Sequence, residues 1–412
     1  MLSRILFIAS FIIVISISDC FAQVLGFALT GGKKKVKIPI EIHNNLIVIP
    51  VVLNGALPLK FILDTGVRTA ILTQKSFTDI LNVSYSRKYV ISGPGGRKLV
   101  DAYVANNISL DLPGIHGRGH ALLVLEEDYL ELRNYLGTDV HGILGYELFS
   151  RFIIQIDYEK KMLTIMLPEK FKGEKKYQTI PIRVEDTKPY ITTPVGLNGT
   201  TQLTGKLLVD SGASHGLLLE PTSDERIRPP AAYISSAIGR GLGGEIIGKV
   251  GRIESLTLGN YRLENVIARF PDANSYFDSL KLGNTSRNGA IGGEVLSRFT
   301  VIFNFPKEEM YLKKNSSFKR GFHYNLSGLT MKAIGSTLDV FEITDVQSKS
   351  VSDEAGIMEG DIVVSINGIS TRTLDLNVIN GFFNYKVGKR IKLEINRNGQ
   401  ILKKEFKLRD QI

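Results

Sequence analysis

Phe61–Gly66 (FILDTG) and Leu207–Gly212 (LLVDSG) are the two stretches that decide the fold of this chain. Each is an apolar run that ends in an aspartate, a small hydroxyl residue and a glycine. The aspartates, Asp64 and Asp210, lie 146 positions apart in a chain of 412 residues. A unit that occurs twice, with one aspartate in each copy, can bring two carboxylates together at an interface with two-fold-like symmetry.

A second pair of matching segments supports the repeat. Gly142–Phe152 (GILGYELFSRF) and Gly289–Phe299 (GAIGGEVLSRF) are offset by 147 positions, almost the same as the offset between the aspartates. One folding unit is therefore present twice. Each of these segments predicts one short helix per unit, in which Glu147 and Glu294 pair with the arginines four positions later.

Two carboxylates at such an interface have a specific chemistry. When they lie about 3 Å apart they cannot both ionise easily, so they share a proton. The ionised group then acts as a general base on water, and the protonated group polarises the carbonyl under attack. The apolar strand before each aspartate delivers it to a dry site, and the glycine after it lets the backbone approach closely.

At these residues the chain resembles the aspartic peptidases, and most closely their retropepsin-like branch. The resemblance covers roughly residues 36–315. Each aspartate is followed by the glycine of an apolar-apolar-Gly element, Gly145 after 81 positions in the first unit and Gly292 after 82 positions in the second. It implies a mainly β fold with two retropepsin-like β-barrel lobes, and hydrolysis of peptide bonds without a metal or another cofactor. The implied site consists of the catalytic residues Asp64 and Asp210 and of the dyad-supporting residues Thr65, Gly66, Ser211, Gly212, Gly145 and Gly292.

A glycine cluster follows each aspartate by about 30 positions and predicts a hairpin tip, within residues 88–103 and 234–250. In the family, hairpins at this spacing are flaps that close over the substrate. The resemblance therefore implies two flaps in one chain, and the alternative is a pair of ordinary surface hairpins. The flap candidates are Gly93, Gly95, Gly96, Gly241 and Gly243.

One position departs from the family pattern. Asp64-Thr65-Gly66 continues with Val67 and Arg68, where a small residue and then a small polar residue are usual. Arg68 would pair with a carboxylate of its own unit, lower the pKa of Asp64, or only support the base of the loop. This departure puts the activity of the first half-site in question.

The last part of the chain has a different pattern. Ala355–Gly368 (AGIMEGDIVVSING) closely resembles a bacterial PDZ domain, in which Ser327, Gly328 and Leu329 occupy the carboxylate-binding loop. The resemblance implies that these backbone N–H groups receive a peptide C-terminus, and that the peptide adds as a strand beside a helix at 374–383. The alternative is a small domain that only packs on the rest of the protein.

The N-terminus has the pattern of a secretory signal. Arg4 precedes an apolar stretch, and small residues before Gln23 favour cleavage after Ala22. An uncleaved anchor is the alternative, although the stretch is short for a spanning helix. Cys20 is the only cysteine, so the mature chain would be exported without disulfides. This favours a bacterial periplasm, an outer envelope or secretion, with no transmembrane helix in the mature chain.

Composition limits the possible partners. Charged residues are 22% and apolar residues 43%, which is ordinary for a globular protein. The net charge of +10 is spread along the chain, and no basic-aromatic pattern typical of nucleic-acid binding is present. The expected partners are polypeptide substrates and peptide C-termini, and no nucleic acid is expected.

The sequence thus predicts a signal peptide (1–22), two peptidase lobes (36–168 and 177–316) and a PDZ domain (325–410). The function that these elements predict is a secreted or periplasmic aspartyl protease, with PDZ-assisted substrate binding or regulation. Two other readings remain open from the sequence. One is a catalytically silent envelope protein that binds peptides through its PDZ domain, and the other is an envelope scaffold in which the repeated units are purely structural.

Overall fold

The structure is a computed structural model that describes residues 25–95, 99–173, 175–273 and 286–412. The predicted signal peptide at 1–22 and the flap candidate Gly96 lie outside the described residues. Within the described ranges, no helix is both long enough and apolar enough to cross a bilayer.

The first lobe is built almost entirely from short strands. Its apolar runs are rich in the β-branched residues Ile and Val, which favour extended backbone, and turn residues separate them. Its strands are β1 (Gly26–Leu29), β2 (Lys35–Pro39), β3 (Glu41–His43), β4 (Leu46–Leu53), β5 (Leu57–Leu63), β6 (Ala70–Leu72), β7 (Tyr85–Ile91), β8 (Val100–Ile108), β9 (Leu110–Asp111), β10 (Ile115–Arg118), β11 (His120–Leu125), β12 (Gly142–Leu144), β13 (Ile153–Asp157) and β14 (Met162–Met166). Its helices are α1 (Ser76–Asp79), α2 (Leu132–Leu136) and α3 (Tyr146–Phe149).

The second lobe repeats this plan with longer strands. Its strands are β15 (Gln178–Pro181), β16 (Arg183–Glu185), β17 (Lys188–Asn198), β18 (Thr201–Val209), β19 (Leu217–Leu219), β20 (Tyr233–Gly241), β21 (Gly244–Leu258), β22 (Tyr261–Pro271), β23 (Gly289–Ile291), β24 (Phe299–Asn304) and β25 (Glu309–Lys314). Its helix in the described residues is α4 (Gly293–Leu296).

The sheet order shows the duplication directly. The first lobe has the order β3-β4-β5-β12-β6-β11-β8-β7, and the second has β16-β17-β18-β23-β19-β22-β21-β20, so each of these eight strands has a counterpart in the same place. In both lobes the strand that carries the aspartate lies parallel to the strand of the later repeat, β12 or β23. The fold therefore places the two sequence repeats side by side.

A third sheet joins the lobes. Its order is β15-β25-β24-β13-β14-β2, and β13 pairs with β24, as in the register Ile154 to Phe303. Every residue of β24 is buried. On one side Phe303 packs edge-on against Phe149 of the first lobe, with ring centres 5.5 Å apart. The two lobes therefore share one continuous apolar core.

The C-terminal region forms its own sheet and core. Its strands are β26 (Leu329–Ile334), β27 (Val340–Val346), β28 (Ile362–Ile366), β29 (Ile369–Ser370), β30 (Arg390–Arg397) and β31 (Gln400–Lys407), and its helices are α5 (Val351–Glu354) and α6 (Leu376–Phe383). The sheet order β26-β27-β28-β30-β31 leaves β26 at an edge. Its apolar residues form a cluster separate from the core of the lobes.

The predicted mainly β fold with two lobes and a C-terminal α+β domain is confirmed. Helices α3 and α4 form at the predicted repeats, but the expectation of one helix per unit is wrong for the first lobe, which also contains α1 and α2. These helices have only four or five residues, which is too short for a periodic apolar pattern to reveal. Helix α6 begins two residues after its predicted start because Asp375 caps it, accepting a hydrogen bond from the Val378 N–H.

The shared core predicts that the lobes unfold together. Replacing the fully buried Phe303 by Ala should lower the free energy of unfolding by about 3–5 kcal/mol. Hydrogen exchange should then accelerate in strands of both lobes, because the lost ring packs between them. The control is Ile401→Ala, at a side chain that is 53% exposed, and it should change little. Faster exchange confined to the second lobe would contradict a common core.

Candidate active site

The loops that carry the aspartates are anchored in the same way in both lobes. The N–H of Asp64 donates to the carbonyl of Leu144 at 2.9 Å, immediately after the parallel pair β5–β12. The N–H of Asp210 donates to the carbonyl of Ile291 at 2.8 Å, after the pair β18–β23. The later repeat in each unit thus braces the turn at which the aspartate leaves its strand.

Close packing explains the glycine at the end of each bracing strand. A Cβ atom at Gly145 would lie 2.0 Å from the carbonyl oxygen of Asp64, and one at Gly292 would lie 2.2 Å from that of His215. Non-bonded atoms do not approach this closely. Both neighbours are backbone atoms that cannot rotate away, so a side chain at either position would clash. Either glycine-to-alanine change would push the aspartate loop out of place.

The two loops are tied to each other by reciprocal hydrogen bonds between hydroxyls and backbone. Thr65 Oγ1 donates to the carbonyl of Val209 at 2.6 Å and accepts from the N–H of Ser211 at 3.0 Å. In return, Ser211 Oγ donates to the carbonyl of Leu63 at 2.9 Å and accepts from the N–H of Thr65 at 3.1 Å. Both hydroxyl residues are 0% exposed, so these four bonds form away from water.

This arrangement brings the two carboxyl groups together. The N–H of Gly66 donates to Asp64 Oδ1 at 2.6 Å, and the N–H of Gly212 donates to Asp210 Oδ1 at 2.9 Å. A hydrogen bond also links the two aspartate side chains. The Asp64 carboxyl leans over the opposite loop, since a Cβ at Gly212 would lie 2.2 Å from its Cγ. The structure therefore brings the predicted aspartates and their predicted supporting residues into one cluster.

The electrostatic environment differs between the two carboxyls. Burial, and then the charge of Asp210, hold the pKa of Asp64 well above its usual range. Burial also raises the pKa of Asp210, but the Arg287 guanidinium opposes this shift. The N–H of the following glycine opposes the shift at both groups. The two carboxyls therefore titrate as a unit whose pKa values belong to the pair, and the positive charge of Arg287 acts on the Asp210 side of it.

Sequence reasoning missed the charged residues that surround the pair. Arg287 forms an ion pair with Glu220 at 2.8 Å, and the two side chains are only 9% and 4% exposed. Lys188, at the start of β17, adds a positive charge that lowers the pKa of both aspartates. Arg287 lies 77 positions after Asp210 and Lys188 lies 22 positions before it, so the aspartate motif does not point to either residue.

Arg68 does not act as the sequence pattern indicated. Its side chain is 71% exposed and lies 3.6 Å from Asp186 of the second lobe. Pairing with a carboxylate of its own unit is therefore wrong. The unusual Val67–Arg68 pair leaves the hydrogen bonds of Asp64, Thr65 and Gly66 in place.

The two repeat glutamates also have different partners. Glu294 lies 3.9 Å from Arg298, as predicted. Glu147 instead pairs with the buried His120, so its predicted pairing with Arg151 is wrong. The guanidinium of Arg151 turns toward the N-terminal strand, where Nη1 donates to the carbonyl of Phe27 at 3.5 Å.

The predicted glycine-rich hairpins are present, and their tips touch. Strands β7 and β8 form one hairpin and β20 and β21 form the other. The N–H of Gly243 donates to the carbonyl of Pro94 at 2.9 Å. A Cβ at Gly95, where φ is +104°, would lie 1.9 Å from the carbonyl oxygen of Gly244, and one at Gly241 would lie 2.2 Å from that of Pro94. Gly93 packs on the side chain of Leu242. Their role as flaps stays a prediction.

The loop predicted to bind a peptide carboxylate is held by its own side chains. The N–H of Gly328 donates to Asn325 Oδ1 at 3.0 Å, and that of Leu329 donates to Ser327 Oγ at 3.2 Å. Gly328 has φ at +81° and packs against Ser350, so a side chain is excluded there. Peptide binding by Ser327, Gly328 and Leu329 stays a prediction.

The reciprocal bonds predict a large difference between two small changes at Thr65. Thr65→Val leaves the N–H of Ser211 and the carbonyl of Val209 buried without their partner, which should destabilise the fold by about 2 kcal/mol or more. Thr65→Ser keeps the hydroxyl and is the matched control. Denaturant unfolding of both variants measures the difference, and equal stabilities would show that these bonds contribute nothing.

Comparison with known protein families agrees with this geometry. A family model described as aspartyl protease matches residues 49–148 and 193–295, which include both aspartates and both bracing strands. A family model described as PDZ domain matches residues 342–382. A search of curated proteins found no match. The chain therefore contains an aspartyl protease unit in two segments, followed by a C-terminal PDZ domain.

Proposed function

We propose that this protein is a single-chain aspartic endopeptidase that cleaves polypeptides between its two lobes. The observation that carries the proposal is the pair of hydrogen-bonded aspartates, one from each repeat, inside a buried cross-lobe hydrogen-bond network. Sharing a proton between two such carboxyls is the chemistry that aspartic proteases use to activate water.

The electrostatics assign a role to each carboxyl. Asp210, on which the positive charge of Arg287 acts, is the ionised group in this proposal and takes a proton from the attacking water. Asp64 then holds the proton that the pair shares and donates a hydrogen bond to the carbonyl oxygen of the peptide bond. The water oxygen adds to the carbonyl carbon, Asp210 passes the proton that it took from the water to the amide nitrogen, and collapse of the intermediate breaks the C–N bond.

The touching hairpins support an extended polypeptide as the substrate. The hydrogen bond from Gly243 to Pro94 joins the two hairpin tips, and it must break before a substrate polypeptide enters. Backbone groups of both hairpins can then pair with the polypeptide. A substrate of about six residues is long enough to reach both hairpins, because extended backbone advances about 3.3 Å per residue. Small esters and dipeptides would gain little from such contacts.

The location and the silent alternative rest on the sequence. The apolar N-terminal segment supports export, to a periplasm, an outer envelope or the medium. The feature that favoured a silent peptide-binding protein was the Val67–Arg68 departure. Because Arg68 points away to Asp186, that feature no longer favours loss of activity.

Substitution of either aspartate tests the proposal. Asp64→Asn or Asp210→Asn should each lower the rate of cleavage of a peptide library by at least about 100-fold, because one carboxylate and one proton are both needed. Because burial raises the pKa of Asp64 in the fold, its favourable contribution to stability is lost as the pH rises through that pKa. The Asn variants should therefore melt at the wild-type temperature or slightly above it at pH 7.

The matched control is Asp186→Asn, which removes a surface carboxylate 3.6 Å from Arg68 and should leave cleavage unchanged. Mass spectrometry of the digested library and thermal scans give the two readouts. Wild-type activity in either dyad variant would refute the shared site.

The raised pKa values also predict the pH dependence of cleavage. Activity should require one proton on the pair, so kcat/KM should fall as the pH drops and Asp210 becomes protonated. It should fall again as the pH rises through the raised pKa of Asp64, which lies well above that of an ordinary carboxyl. Initial rates across pH 3–8 measure this profile. A rate that only increases up to the alkaline end would show that no protonated carboxyl takes part.

A further inference from the structure

Helix α2 (Leu132–Leu136) touches three parts of the molecule at once. Leu132 and Leu136, four positions apart on one face, pack on the outer side of the first lobe with Val48 and Ile62. The residues between and beside them therefore point away from that lobe. Arg133 keeps one partner in the first lobe, because its Nε donates to Asp139 Oδ1 at 2.7 Å, and the other partners of these side chains belong to the PDZ domain and to the hairpin formed by β20 and β21.

On one side α2 occupies the free edge of the PDZ sheet. Asn134 Nδ2 donates to the carbonyl of Ala333 at 2.7 Å, and the Arg133 guanidinium donates to the carbonyls of Gly335, at 3.2 Å, and of Ser336. Among the described residues, no strand pairs with β26 on that side. An added peptide strand would form hydrogen bonds to the same edge. Helix α2 therefore occupies the position of the part of the peptide that is farthest from the carboxylate-binding loop.

On the other side α2 holds the second hairpin. Arg240, on β20, donates through Nη2 to the hydroxyl of Tyr135 at 3.1 Å, and its guanidinium lies 4.9 Å from the centre of the Tyr135 ring. Glu131, at the start of α2, lies 3.7 Å from Arg240. Arg240 is one residue before Gly241 at the hairpin tip, so α2 restrains the segment that meets the first hairpin.

A cavity of about 480 Å³ lies where these contacts meet. Its lining includes Met331 of β26, Asn380 of α6, Tyr135, Arg240, and Ser214 near Asp210. Because strand residues alternate in direction, Met331 presents its backbone N–H and carbonyl to the same edge as Ala333. The near part of the edge is therefore open to a peptide, while the far part is blocked by α2.

Helix α2 depends on these contacts for its own position. It has five residues, far fewer than an isolated helix needs to persist in water. The residues that flank it, Glu131 with φ at +49° and Gly137 with φ at +64°, are both left-handed, so the chain turns sharply at both ends. Gly137 packs directly on Leu376 of α6. A ligand that takes over the edge of β26 would remove several of the contacts that keep α2 in place.

We propose that α2 is a latch between the PDZ domain and the second hairpin: a polypeptide that pairs along the full edge of β26 displaces Arg133 and Asn134, and this releases Arg240 so that the hairpin opens. The PDZ domain would then control access to the aspartates instead of only collecting substrates. Faster cleavage on release rests on the proposed protease function, whereas the latch itself does not.

The latch is tested by hydrogen exchange on the full chain carrying Asp64→Asn, which cannot consume its ligand. Adding Arg133→Ala and Asn134→Ala should accelerate exchange in residues 233–247 by about fivefold or more, although neither residue touches that segment. The matched control is Asn377→Ala. Asn377 also joins the PDZ domain to the first lobe, through Asn44 at 3.1 Å and His43 at 2.9 Å, but it does not contact α2. An equal effect of Asn377→Ala would mean general undocking and would overturn the latch.

The ligand arm uses hexapeptides with free carboxyl termini, randomised at their last three positions. In the Asp64→Asn chain the mixture should protect residues 329–334 and accelerate exchange in residues 233–247. Protection of β26 without acceleration of the hairpin, or no protection at all, would overturn the proposal.

A third measurement separates the latch from the chemistry. In the chain with both aspartates, Arg133→Ala and Asn134→Ala should raise kcat/KM on short peptides by about fivefold. If the second hairpin exchanges faster in the variant, but peptides are cleaved neither by the variant nor by the wild-type chain, the latch is supported and the protease function is refuted. If the variant cleaves peptides at the wild-type rate and its second hairpin also exchanges at the wild-type rate, the latch alone is refuted.

Discussion

The exchange of hydrogen bonds between Thr65 and Ser211 is the interaction on which the arrangement of the site depends. Each hydroxyl donates to a carbonyl of the opposite lobe and accepts an N–H from it. Buried backbone groups of this kind are costly to leave unpaired. Once the four bonds form, the loops can occupy only one relative position, and that position brings the two carboxyls into hydrogen-bond contact although ionised carboxylates would repel each other.

The rest of the architecture keeps this contact from being pulled apart. The shared sheet, in which β13 pairs with β24, prevents the lobes from sliding, and Phe303 and Phe149 fill the space between them. The bracing glycines pack directly on the backbone of the two loops, Gly145 on Asp64 and Gly292 on His215. The large common core thus keeps two acidic side chains close together although their proximity is electrostatically unfavourable. The raised pKa values of both aspartates reflect this proximity and their burial.

The sequence predicted those parts of the site whose spacing follows from the sheet. Asp64 and Gly145 are far apart in the chain, but a parallel pair of strands must bring them together, and the second copy repeats the spacing with Asp210 and Gly292. It did not predict contacts that depend on how lobes and domain meet. Arg68 reaching Asp186, Arg287 acting on Asp210, and the short helix α2 between two neighbours all arise from tertiary packing, which no local pattern records.

The Arg287–Glu220 ion pair has a consequence for the direction of a bound chain. A symmetric assembly of two identical halves would bind a peptide equally well in either direction, because rotation about the two-fold axis exchanges the halves. Here the guanidinium of Arg287 acts on Asp210, the carboxyl of one half. The two orientations of a peptide therefore differ in energy, and fusion of the halves into one polypeptide gives the cleft an inherent N-to-C polarity.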